Sequence, residues 1–303
     1  MNPDTTEWQQ IQPLLRHNEP VGKFTAARMG GIADYLYVTS HDDTQELERV
    51  FLATCAENIP IRVIGGGANV LVSDKGVRGL LIVNRSGRVQ QEGDILRVGA
   101  GVGLLALARY CLQHNLTGFE WAVGVPGTVG GAIVNNAGAH GSDMSQSVQS
   151  ATVLFGDGTR TIFDHTSLQF QYRSSSLKHK ARPFLVLDSV LQFSYAETES
   201  IKHHMEEFNA YRKRTQPSGA SLGSVFKNPP NDYAGRLIEA SGLKGFAIGT
   251  AQVSPVHANF FLNTGDTKAQ DYRALIETVQ QKVFEQFGVA LETEIQFLGE
   301  WGV

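Results

Sequence analysis

Cysteine is nearly absent from this chain: Cys55 and Cys111 are the only two among 303 residues. Two thiols so far apart build neither a disulfide scaffold nor a CxxC redox or metal site. The nine histidines show no HExxH or other ligand spacing, so no metal site is expected. Excess positive charge is missing as well. The net charge is −4, and the cations are scattered apart from Arg212-Lys213-Arg214, which reads as the charged end of a helix. With no aromatic–basic stripe beside that triplet, nucleic acid is not an expected partner. Trp121 to Ser142 is a long uncharged run, but its glycine, proline and asparagine content excludes a membrane span. The N-terminal MNPDTTEWQQ carries early acids and no apolar h-region, against a signal peptide, and a cytoplasmic protein is expected. The common nucleotide fingerprints are also lacking. GxxxxGK[ST] does not occur, nor does GxGxxG between a strand and a helix, and Gly99-Ala100-Gly101-Val102-Gly103 has the wrong spacing.

What the chain has in quantity is glycine, and it is clustered. The twenty-four residues from Gly118 to Gly141 hold seven glycines, one proline and the pair Asn135-Asn136. A second cluster, Gly65-Gly66-Gly67-Ala68-Asn69, lies between the apolar runs IRVI and VLV. A single Gly-Gly pair is most often a tight turn. Two dense clusters beside β-branched runs point instead to main chain wrapped around a ligand, since no Cβ stands in the way. Converging N–H groups suit phosphate. The two clusters therefore predict a large phosphate-bearing cofactor held outside a Rossmann crevice.

Apolar content of 42% with 18% charge is ample for a buried core, in two or three domains. Periodicity predicts a helix over 44–58 with Leu47, Val50, Phe51 and Cys55 on one face, and another over 104–115. Strands are expected at 61–64, 79–83, 95–100 and 183–193. A hairpin is expected where Gly156-Asp157-Gly158 separates two β-rich arms. A polar stretch near 195–200 marks a boundary. A helix to about Thr215, a long helix over 267–287 and a final strand over 292–299 follow. Strands and helices mix without a regular βαβ repeat, so the fold class is α+β.

Three polar segments stand out: Tyr172-Arg173-Ser174-Ser175-Ser176, Gly223-Ser224-Val225-Phe226-Lys227-Asn228-Pro229, and Glu292-Thr293-Glu294-Ile295-Gln296. Each has an ordinary explanation, as a surface ion pair, a turn or a solvated strand face. Strand alternation would put Glu292, Glu294 and Gln296 on one side. His257 reads equally as a pocket residue or an internally satisfied histidine.

In order, RMGG, GGGANVLV, GVPGTVGGAIVNNAGAHG, YRSS, GSVFKNP and ETEIQ resemble the UDP-N-acetylenolpyruvoylglucosamine reductase family, from about Val21 to Glu300. The resemblance implies two FAD-binding lobes of the vanillyl-alcohol-oxidase type, 1–75 and 76–196, and a C-terminal α+β substrate domain, 197–303. It implies non-covalent FAD, NADPH as co-substrate, and UDP-N-acetylglucosamine enolpyruvate as the substrate of a monomer. Arg28, Gly65, Gly66, Gly67, Ala68, Asn69 and Val70 would contact FAD from the first loop and the turn before it. Gly124, Pro126, Gly127, Gly130, Gly131, Asn135, Asn136, Ala137 and Gly138 would do so from the second. Arg173 would bind the substrate carboxylate, Glu294 would act with it, and Ser224 would protonate the carbanionic carbon. Tyr172, Lys227, Asn228, His257 and Asn259 would line the substrate pocket.

The sequence departs from the family pattern in places. Ala68 stands where serine is usual, Ala26-Ala27 precede Arg28 in place of Thr-Phe, and Gln296 replaces arginine. The short stretch after Arg173 resembles the class lacking an inserted tyrosine-bearing segment. A flavin oxidase of the same fold class would share the glycine loops but need neither GSxFKNP nor NADPH. A non-catalytic nucleotide-binding module would need the loops alone.

Overall fold

Leu47, Val50 and Phe51 recur at helical spacing, and they are the buried face of the helix Thr44–Ala56; Ala53 and Thr54 complete that face, while Cys55 is only half-buried. This computed structural model describes residues 6–40 and 43–302, so the first five residues of the N-terminal stretch read against a signal peptide lie outside it. The strand Ile61–Ile64 runs parallel to Val77–Val83, with Ile61 opposite Leu80 and Ile64 opposite Val83. Five consecutive buried residues, Gly79–Val83, are the unbroken apolar run expected of a strand covered on both faces.

A five-stranded antiparallel sheet follows, in the order Arg160–Asp164, Val148–Phe155, Phe184–Gln192, Ile95–Gly99, Val89–Glu92. Its hairpin turns at Gly156-Asp157-Gly158, where the Thr159 N–H donates to Asp157 Oδ1 at 2.9 Å and Gly158 takes φ +84°. Strand alternation divides the side chains between two cores. Leu154, Leu185 and Leu187 pack with Leu47, Val50 and Phe51. Val153, Phe155, Val186 and Leu191 pack with Leu107, Ala108 and Cys111 of the helix Leu104–Gln113, and with Trp121 and Ile133.

The C-terminal residues form an antiparallel sheet in the order Ala220–Ser224, Phe260–Asn263, Ala251–Val253, Ala247–Ile248. The helix Ala269–Phe287 buries Tyr272, Leu275, Ile276, Val279 and Val283 in one core with Leu222, Val253 and Phe261. Its first N–H groups are capped from far away in sequence. Both Asp74 carboxylate oxygens accept, from the Ala269 and Gln270 N–H groups, at 2.9 Å each.

By contact the chain divides into two units, neither continuous in sequence. One comprises Met1–His17, Asp34–Gly66 and Gly79–Ala210; the other comprises Asn18–Ala33, Gly67–Arg78 and Tyr211–Val303. This division is by contact and is separate from the segments drawn from the sequence by expected ligand. Pairing explains the second unit: Val70–Val72 runs parallel to Gln296–Leu298, and Met29 and Leu71 are buried among C-terminal apolar residues. Among the described residues no helix is long and apolar enough to cross a membrane.

Two sequence expectations need correction. The second glycine cluster contains a helix, Val129–Asn135, which the glycine content hid. The final strand is only Gln296–Leu298, so strand alternation does not place Glu292 and Glu294 on a shared face.

Candidate active site

The two glycine clusters, some sixty residues apart, meet in the first unit. A Cβ on Gly65 would stand 2.0 Å from Thr128 Oγ1, and one on Gly66 would stand 3.2 Å from Gly127 Cα. Gly130 lies against the turn after the strand Ile95–Gly99, where a Cβ would be 2.8 Å from Ala100 Cβ. Gly138 is similarly crowded, 2.3 Å from Ser142 O. Gly65, Gly130 and Gly138 thus leave no room for a Cβ within the protein, and Gly66 leaves little. Gly127 and Gly131 differ: the nearest atoms to an added Cβ are Leu104 Cδ1 at 3.9 Å and Thr128 Oγ1 at 3.7 Å. Gly131 is exposed in the first turn of the helix, and Gly127 takes φ +131°. The stretch from Gly127 to Gly131 thus presents bare main chain on its open side, a surface that fits close approach by a phosphate-bearing cofactor.

The asparagine pair that follows is built into the protein. Asn136 is 3% exposed and ends the helix in the left-handed region at φ +43°. Its Nδ2 donates to Asp143 Oδ2 at 3.2 Å and Gln171 O at 3.0 Å, while its Oδ1 accepts from Ser145 N at 3.1 Å. Both ends of the Asn136 amide are therefore engaged within the protein. Asn135 Nδ2 donates to Gly131 O at 3.0 Å. Ala137 N donates to Ala132 O and Gly124 takes φ +74°, so both serve the turns around the helix. Pro126 lies between Gly124 and Gly127 in the same loop.

Through Asn136 the cluster holds the turn that presents Arg173. Gln171 and Ser174 exchange both backbone hydrogen bonds, at 3.0 and 3.1 Å, which forces Arg173 to φ +56°. That conformation is uncommon for a side-chain-bearing residue and persists only where the surroundings fix it. One guanidinium N–H donates to Gly138 O at 2.9 Å, and the guanidinium carbon sits 5.3 Å from the exposed Tyr172 ring. Lys178 Nζ donates to the Arg173 carbonyl at 3.0 Å, a support the sequence did not reveal.

The second unit holds Ser224, Lys227 and Glu294. Ser221 pairs with Leu262 and Ser224 with Phe260, so one extra residue is inserted before Ser224. Gly223, at φ +74°, absorbs this bulge, which re-aims the serine at the strand end. Immediately after it, residues 225–227 pair with 292–294. Glu294 N donates to Val225 O at 2.8 Å, Lys227 N donates to Glu292 O at 2.9 Å, and Phe226 bridges Thr293. Ser224 and Glu294 therefore flank one pair of bonded segments.

Asn259 holds that pair from behind. It is 4% exposed; its Oδ1 accepts from Phe226 N at 2.9 Å and its Nδ2 donates to Phe226 O at 2.8 Å. Both ends of the amide are thus engaged on the Phe226 main chain. Asn228 Oδ1 accepts from Ala234 N at 3.1 Å and so caps the helix Ala234–Ala240. Lys227 Nζ is paired with the exposed Glu292 carboxylate. His257 Nδ1 accepts from Asn259 N at 3.2 Å, which leaves the ring proton on Nε2, and burial pushes its pKa below the usual histidine value. One ring nitrogen of His257 is thus engaged within the protein.

Arg28 also belongs to the second unit, at φ +58° between buried Ala27 and Met29. The turn is fastened by Met29 N to Thr25 Oγ1 at 3.2 Å and by Asn263 Nδ2 to Ala27 O at 2.8 Å. Ala26 N donates to Gly67 O at 3.0 Å, and a Cβ on Gly67 would lie 2.2 Å from Phe24 O. The first glycine loop and the Arg28 turn are thus one built feature, with Ala68 and Asn69 as the turn leading into Val70. Both cysteines have raised pKa values, Cys111 up to about 12, because burial disfavours the thiolate.

Comparison with known proteins follows the same division. An FAD-binding domain model matches residues 35–164, and the C-terminal domain model of UDP-N-acetylenolpyruvoylglucosamine reductase matches residues 215–298. The chain is 41% identical over 288 residues to UDP-N-acetylenolpyruvoylglucosamine reductase 2 of Symbiobacterium thermophilum, covering 94% of this chain and 92% of that protein. It is 44% identical over 285 residues to the reductase of Caldanaerobacter subterraneus subsp. tengcongensis, covering 93% of each. The crystal structure of UDP-N-acetylenolpyruvylglucosamine reductase (MurB) from Thermus caldophilus superposes with a TM-score of 0.79 at 33% identity, over 94% of this chain and 99% of that one. With both its FAD-binding and its C-terminal parts matched, this α+β chain belongs to the UDP-N-acetylenolpyruvoylglucosamine reductase family.

Proposed function

We propose that this protein binds FAD non-covalently and uses NADPH to reduce UDP-N-acetylglucosamine enolpyruvate to UDP-N-acetylmuramate, a step of peptidoglycan precursor synthesis, acting as a cytoplasmic monomer. The observation that supports this reading is the pairing of residues 225–227 with 292–294, on adjoining segments that carry Ser224 and Glu294, in a chain that also has an FAD-binding domain. We assign 1–75 and 76–196 to the flavin and 197–303 to the substrate. Bound FAD would supply hydride chemistry, accepting hydride from NADPH and delivering it to the terminal carbon of the enol ether.

The residues of the chain have to manage the charge that results. It builds on the carbon next to the carboxylate and spreads into that group, so cations and donors aimed there stabilise the transition state. Arg173 suits the carboxylate because a guanidinium presents paired N–H groups to two oxygens. Its strained turn fixes the direction of approach before substrate arrives. Ser224 delivers the proton to the carbanionic carbon. Serine is a weak acid, but a carbanion is a base strong enough to take its proton. Glu294 acts with Arg173 on the developing charge. Lys227 binds the diphosphate by exchanging the Glu292 carboxylate for phosphate oxygens.

The test is spectroscopic. Purified protein is expected to show a flavin band near ~450 nm that NADPH bleaches without oxygen and that the enolpyruvyl substrate restores. Bleaching by a small alcohol but not by NADPH would replace this reading with a flavin oxidase. A colourless protein that binds UDP-sugars would replace it with a nucleotide-binding module.

A further inference from the structure

Asn69 closes the first glycine loop, where the family resemblance assigns it to FAD. Its side chain is directed elsewhere. Nδ2 donates to the Glu294 carbonyl at 3.1 Å, and the Asn69 carbonyl accepts the Gln296 N–H at 2.9 Å. One residue thus grips the chain on both sides of Ile295. The regular parallel ladder to Val70–Val72 begins only at Gln296, so the Glu294 carbonyl lies beyond it. The side-chain amide of Asn69 takes the place of the missing ladder donor. On its other side Glu294 is held through its own N–H, which donates to Val225 O at 2.8 Å. With N–H and C=O both engaged, the peptide that carries the Glu294 carboxyl has a fixed orientation.

We propose, resting on the functional reading above, that Asn69 is a positioning residue for Glu294: its amide sets the peptide from which the carboxyl projects. Asn69 does not need to touch the substrate. It belongs to the loop after Gly65-Gly66-Gly67, so the flavin loop and the acid share one hydrogen bond. Removing the donor lets the Glu294 peptide rotate, and the carboxyl loses its aim although its chemistry is intact.

The experiment is a double-mutant cycle on the two half-reactions, each followed without oxygen as loss and return of the flavin absorbance. Asn69→Ala is expected to slow the enol-ether half-reaction about tenfold or more, and the NADPH half-reaction much less. Asn69→Asp, equal in size but unable to donate, should behave likewise. In a Glu294→Gln background, Asn69→Ala should add no further loss, because the carboxyl it aims is gone. A merely structural role would cost the same factor in both backgrounds, and that result would overturn the proposal. A second readout is independent of turnover: amide exchange in residues 292–298 should quicken in Asn69→Ala, and unchanged exchange would also overturn it. If the parent flavin band fails to return with the enolpyruvyl substrate, the functional reading falls and the proposal with it. A responsive parent with an additive cycle sinks Asn69 alone.

Discussion

The glycine region and the serine–glutamate region are built on opposite principles. Around Gly127 to Gly131 the surface is made by what the residues lack, and side chains such as Asn136 turn inward to hold main chain. Around Ser224 and Glu294 the proposed chemistry would lie in side chains, on segments joined by main-chain pairing and an asparagine clamp. Backbone openness tolerates no added bulk but needs no titratable group. On the proposed reading, the acid region would tolerate small changes of shape but not the loss of a proton donor. The two regions should therefore fail in different ways.

The largest effect is expected from Ser224→Ala. The enol-ether half-reaction should slow by ~10²–10⁴-fold, as for loss of a general acid, while NADPH bleaches the flavin at close to the parent rate. Equal slowing of both steps would make Ser224 a structural residue and erase the contrast. Glu294→Gln should come next, with a large fall in turnover at normal flavin content. Glu292→Gln is its control. Glu292 is exposed and paired with Lys227, so its loss should cost at most about 1 kcal/mol of stability and little turnover. Steady-state NADPH oxidation by the two variants decides the assignment, and a crippled Glu292 variant would reverse it.

Gly130→Val probes the packed side of the glycine region. Its Cβ would enter the space of Ala100, and such overpacking costs about 1–3 kcal/mol, read as a lower Tm of the flavin-free protein. An unchanged Tm would show that the turn yields easily there. The smallest effect concerns His257. Burial lowers its folded pKa below 6.5, so the unfolded chain binds the proton more readily. Its contribution is complete above about pH 6.5 and is lost as pH falls through the folded value. His257→Gln should flatten that part of the denaturation-midpoint profile against pH, and a profile unchanged by the substitution would contradict the shift.

Much of this architecture was legible because local pattern decided it. The stripe Tyr272, Leu275, Ile276, Val279 and Val283 marks a helix face, and Gly156-Asp157-Gly158 marks a hairpin, whatever the surroundings. The glycine clusters were visible, but their division of labour was not. Gly65 and Gly130 are set by Thr128 and Ala100, neighbours that only the fold supplies. Weak helix propensity concealed Val129–Asn135, whose stability comes from burying Val129, Ala132 and Ile133. The internal partners of Asn136 and Asn259 were not legible, because an asparagine beside an alanine or a phenylalanine carries no local sign of its partner. Their amides reach main chain 35 and 33 residues away. The final strand misled for a related reason: alternation implies a shared face only where a regular strand exists, and here it starts at Gln296.

Gly131 offers the most direct test of the central claim, that the flavin rests on bare main chain. An added Cβ there meets only Thr128 Oγ1, at ordinary contact distance, whereas the adjacent Gly130 is tightly packed. Gly131→Val should therefore fold with the parent Tm in the flavin-free state but purify with most of its flavin absorbance lost. A Gly131→Val protein that keeps the full flavin content of the parent would contradict the account.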